Sequence, residues 1–146
     1  MARLSSFTRN QSRVSEGERI VVGPAGEQFG ITTRGFTPAY RDTFYALKAE
    51  AARRLNRTIV PGATLYTPDT LPPSEEDKVQ GIAISRECVL GVDGLQKDDD
   101  GPDITVDEFK AMLESGNYPV LVFLAISAAG RVGDERVQQN EAAVGN

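Results

Sequence analysis

Carboxylates are the largest chemical resource in this chain. Asp98, Asp99, Asp100 and Asp103 crowd one turn, and Asp107 and Glu108 follow directly. A calcium loop of the EF-hand type needs oxygen donors at positions 1, 3, 5 and 12, with glycine sixth for the sharp turn. With Glu108 as the twelfth ligand, Asp99 falls third, but Lys97 is first, Gly101 fifth and Pro102 sixth. Shifting the frame to put Gly101 sixth places Gln96 first, gains Asp98 and Asp100, and moves Asp107 to twelve. Neither frame completes the ligand set, so Asp98, Asp99, Asp100 and Glu108 form only a partial metal site. The same residues read more simply as a solvated turn followed by a capping box, in which Thr105 and Glu108 satisfy the first free amides of a helix.

Other chemistries lack their partners. Histidine is absent, which removes the commonest general base and the commonest transition-metal ligand. Cys88 is the single cysteine, so no intrachain disulfide forms, and within AISRECVL it reads as a small core residue without a base beside it. Gly23, Gly26 and Gly30 have neither the lysine and hydroxyl of a phosphate loop nor a helix directly after them, and read as turn glycines. The clustered carboxylates are local and exposed, with no apolar pocket to separate their pKa values. No residue is assigned a catalytic role, no cofactor is expected, and the chain is expected not to be an enzyme.

The charge balance points the same way. Lys and Arg number 16 against 21 Asp and Glu in 146 residues, a net charge of −5 that repels nucleic acid and anionic membranes. Arg53, Arg54 and Arg57 make a short basic cluster, which fits the C-terminal end of a helix better than a nucleic-acid site. The longest apolar stretch, 118–129, is interrupted by Pro119 and Ser127 and is too short to span a bilayer. A soluble intracellular protein is expected, without nucleic-acid or membrane partners.

The elements that must position these residues make a mainly α (α+β) chain, a short β-hairpin followed by three to four helices. Residues 1–17 are polar and read as a flexible lead-in to a single domain, 18–146. In ERIVVGPAGEQFGITTRG two runs of period two flank a Pro/Gly turn, the signature of a hairpin. Thr37-Pro38 opens a helix whose apolar face runs through Tyr40, Phe44, Leu47, Ala51 and Leu55. Residues 57–73 hold four prolines and little periodicity, a long loop. Helical spacing returns from Ser74 and is expected to run to Gly91 or Gly94, with Val89 and Leu90 on its apolar side. The segment from Thr105 gives a further helix. Pro119 opens the last, apolar through Val120, Phe123 and Leu124, loosened at Gly130 and Gly133, and polar beyond Asp134.

Taken in order, ITTRGFTPAYRD, then VDGL with its acidic turn and DEF, then the closing VGN, resemble tail assembly chaperones of long-tailed bacteriophages and related prophages. The resemblance spans residues 18–146 and includes no catalytic signature. It implies a small, mostly helical protein of the host cytoplasm, absent from the mature virion, that binds the hydrophobic tape-measure protein and keeps it soluble while the tail tube assembles. It also implies a longer frameshifted form of the same chain as a partner, since Val-Gly-Asn is compatible with a slippery heptamer in the gene. A homo-oligomer is open. The expected client surface is Tyr40, Phe44 and Leu47 on the first long helix, or Val120, Phe123 and Leu124 on the last. The alternatives are a structural virion protein, a connector or tail component, and an EF-hand-like calcium module.

Overall fold

The computed structural model describes residues 1–98 and 100–134. Strands β1 (Glu18–Val22) and β2 (Phe29–Thr33) pair as an antiparallel hairpin with Ile20 opposite Ile31. Gly23 and Gly26 turn the chain at φ 100° and 86°, a region that favours glycine. A third strand, β3 (Val89–Asp93), adds antiparallel to β2, so the sheet order is β1-β2-β3. Helices α1 (Gln11–Glu16), α2 (Pro38–Asn56), α3 (Pro73–Glu87), α4 (Val106–Ser115) and α5 (Pro119–Arg131) complete the α+β architecture. Ile20, Val22, Phe29, Ile31 and Val89 pack with Ala83, Ile84, Phe109, Leu113 and the Val122, Ala125, Ala128, Ala129 face of α5. On the outer side of the sheet the Arg19 guanidinium reaches across β2 to Asp93, at 2.9 and 2.7 Å. Gly30 lies beneath that bridge, and a Cβ there would meet Arg19 Nε at 2.5 Å.

β3 corrects the sequence reading, which extended α3 to Gly91 or Gly94. The helix ends at Glu87. Thr32 pairs with Gly91 and Thr33 with Val89, so Leu90 is the extra residue of a bulge and stands 40% exposed. The bulge lets Val89 and Val92, three apart, both meet the core. An interval of three is helix-like, which is why the strand reads as helix.

The lead-in expected over residues 1–17 carries α1. The Asn10 side chain accepts from Arg13 N, Val14 packs against the core, and the Gly35 amide donates to Val14 O at 2.9 Å. Arg13 forms a hydrogen-bonded ion pair with Glu18 at 2.7 Å. Gly133 approaches this helix closely: a Cβ there would meet Asn10 O and Val14 Cγ2 at 3.0 Å, so this glycine marks a close contact rather than a weak point. α5 ends at Arg131; the polar half expected of the last helix beyond Asp134 and the Val144-Gly145-Asn146 ending lie outside the described residues, as does Asp99.

The Pro-rich stretch forms no helix or strand between Arg57 and Pro72. It is tied down at two points. Asn56 brackets the Tyr66 backbone at 2.9 and 2.8 Å, and Leu71 joins Ala51, Ala52 and Val79 in a smaller apolar cluster. Thr37 caps α2, Thr105 and Glu108 form the expected capping box on α4, and Gly116 closes α4 at φ 81°. Among the described residues no single helix is long and apolar enough to cross a membrane; α4 and α5 pass together only as a pair bent by 112°.

Candidate functional site

The six expected contact residues separate into three environments. Tyr40 is buried, 6% exposed, and sits in an aromatic row with Phe36 and Phe44, centroids 5.2 and 5.9 Å away. Burial pushes its hydroxyl pKa up, with the neighbouring Cys88 adding to the effect. It is a core residue, which corrects its place in a client surface. Phe44 and Leu47 are half-buried between the two apolar clusters, and the Lys48 ammonium lies 4.7 Å from the centre of the Phe44 ring. Leu124 is also half-buried against the core. Only Val120 and Phe123 stand out from the surface, each 68% exposed.

Their position follows from the elbow between α4 and α5. Gly116 ends α4 in a left-handed turn and Pro119 restarts the chain at the first helical position, where a missing amide costs nothing. On α5 the residues Val122, Ala125, Ala128 and Ala129 face the core, so Val120 and Phe123 face outward. Tyr118, at the N-cap, extends the patch. Beside it runs a groove of about 550 Å³ with Leu113, Pro119, Val122 and Ile126 on its apolar walls and Ser74, Asp77 and Lys78 at its polar rim. The groove depends on a close crossing of α3 and α4. Gly81 lies against the Leu113 carbonyl, where a Cβ would come within 2.3 Å. Tyr118, Gly81 and the α3 rim escaped the sequence reading; a lone glycine inside the apolar face of α3 was the available signal.

Glu108 and Cys88, two groups the sequence put forward, have partners of their own. Glu108 receives Lys97 Nζ at 2.6 Å and accepts from the Thr105 amide. The Lys97 and Thr105 bonds hold its carboxyl below the usual range. A strand rather than a helix precedes the acidic turn, unlike the helix–loop–helix of an EF-hand, and Asp99 lies outside the described residues. The turn itself is a small hairpin closed by the Gln96–Asp103 bridge. Among the described residues no group of three or more His, Cys, Asp or Glu is placed to hold a metal ion. The Cys88 thiol is buried and donates to the Gly35 carbonyl at 3.4 Å; burial, then the Glu87 charge, pushes its pKa up to about 12. It stays protonated at neutral pH and is no nucleophile. Among the described residues the elbow offers exposed apolar surface. No family model, curated protein or solved structure matches this chain.

Proposed function

We propose that the protein is a tail assembly chaperone of a long-tailed phage, holding an apolar segment of the tape-measure protein at the α4–α5 elbow. One observation supports this reading above the rest: Tyr118, Val120 and Phe123 are exposed together beside an apolar groove. Contiguous apolar surface of this kind, rimmed by polar groups, marks a contact site for another chain. A holdase needs such a surface and a charged exterior, and in this reading performs no chemistry and needs no cofactor. The net charge of −5 suits that task. Its place of action is then the host cytoplasm, and it leaves before the virion is finished.

Coexpression with the cognate tape-measure protein tests the reading. The wild-type chain is expected to move the client into the soluble fraction, and Phe123→Ser with Val120→Ser to lose most of that effect while remaining folded. A client equally insoluble with and without the wild-type protein overturns the proposal. Stoichiometric protein in purified particles redirects it to a structural virion component.

A further inference from the structure

A second groove, about 500 Å³, lies in the seam between the C-terminal half of α2 and the first turns of α3. Its apolar floor includes Leu47, Ala51, Val79 and Ile82. Four cations, Arg53, Arg54, Arg57 and Lys78, surround it against two carboxylates, Glu50 and Glu75. Arg54 is paired with Glu75. Arg53, Arg57 and Lys78 are exposed and have no ion-pair partner among the described residues. The α2 dipole accounts for Arg53 and Arg54 in its last turn. It does not account for Lys78, which comes from the opposite wall, near the positive end of α3. Local charge is therefore reversed in a chain of net charge −5.

The molecule also carries an exposed acidic counterpart. The acidic turn is closed by the Gln96–Asp103 bridge and by the Gly101 amide donating to Asp98 O at 3.0 Å. Ile104 and Phe109 are buried at its base. Lys97, the one cation there, is taken by Glu108. Asp98, Asp100 and Asp103 project into solvent and make no ion pair among the described residues. Turn and groove sit on different elements, with no hydrogen bond or ion pair between them among the described residues. Two surfaces of opposite charge, with no hydrogen bond or ion pair between them among the described residues, can pair between chains as a heterologous contact.

We propose that the groove of Arg53, Arg57 and Lys78 docks the acidic turn bearing Asp98, Asp100 and Asp103 of a second copy of this chain. The contact shares Lys78 with the rim of the elbow groove but neither Val120 nor Phe123, and the variants below leave Lys78 in place, so its test is separate from that of the chaperone reading. Sedimentation velocity on the full chain tests it. The wild type is expected to self-associate at about 0.1 M salt and to dissociate at about 1 M, where the Debye length falls from about 10 to about 3 Å. Arg53→Glu with Arg57→Glu, and Asp98→Lys with Asp100→Lys, are each expected to remain monomeric. Mixed in equal amounts they are expected to associate at least about tenfold more tightly than either alone, because every groove then meets a turn of opposite charge. A wild-type monomer at low salt overturns the proposal, as does a mixture that stays monomeric while circular dichroism shows both variants folded. Association that survives both double substitutions but disappears in Phe123→Ser assigns the contact to the elbow and overturns it too. A monomeric wild type that binds polyglutamate shows an acidic partner other than a second copy, and likewise overturns it.

Discussion

The Tyr40, Phe44, Leu47 row on α2 and the Val120, Phe123, Leu124 row on α5 carry similar side chains at similar helical spacing, yet end in opposite surroundings. The first is covered by Phe36, Lys48 and two apolar clusters from the same chain. The second presents Val120 and Phe123 to solvent, because the alanine-rich face of α5 has already been used to reach the core. Apolar periodicity reports that a face seeks cover. It does not report whether the cover belongs to the same molecule.

Thiol labelling with its pH counterpart and three substitutions break or sharpen that contrast, in order of expected size. Thiol labelling comes first. Cys88, beside the aromatic row, is expected to be protected by on the order of a thousandfold or more, since labelling requires opening of the core. A thiol placed by Val120→Cys is expected to label at the rate of an unfolded peptide. The pKa of Cys88 is raised to about 12 by burial, so the folded state favours the neutral thiol. Its contribution to stability is complete below the ordinary thiol range and is lost as pH climbs toward about 12. An alkaline unfolding transition unchanged in Cys88→Ala contradicts that assignment. Next, Tyr40→Ala is expected to cost about 3–5 kcal/mol by chemical denaturation, as for other large core aromatics. A loss below about 1 kcal/mol, the range of surface changes, would move Tyr40 out of the core.

Third, Gly81→Ala is expected to cost about 1–3 kcal/mol by forcing α3 from α4, and to weaken client binding through the deformed groove. Last, Phe123→Ser is expected to change stability by no more than about 0.5 kcal/mol while abolishing client solubilisation. A large destabilisation there would make the elbow part of the core and erase the contrast.

Much of the architecture was legible because local signals agreed with one another. Thr37-Pro38, Thr105 with Glu108, and Pro119 each opened a helix where expected, and the Gly23 to Gly26 turn placed the hairpin. β3 was hidden by a backbone irregularity: Leu90 bulges out and converts the alternation of a strand into an interval of three. α1 was hidden by its polarity, since Val14 is the one apolar anchor in QSRVSE and the rest of its attachment includes hydrogen bonds to Glu18, Arg34 and Gly35. The exposure of the expected contact residues was not legible, for a related reason. Val120 and Phe123 were found as apolar residues, but Tyr40 answered the same criterion and differs only in what folds over it.

The junction of α1 with the end of α5 has a practical corollary. Asn10 donates its amide to Gly133 O at 3.0 Å, and Arg9 lies 3.7 Å from Asp134. Thirteen helical residues, about 20 Å of rise, separate that junction from the Pro119 end of α5. A fluorophore or affinity handle joined through this corner therefore leaves from the far end of the helix that displays Phe123. The molecule can be tethered to a bead or sensor there with its greasy knuckle still free to meet whatever is offered.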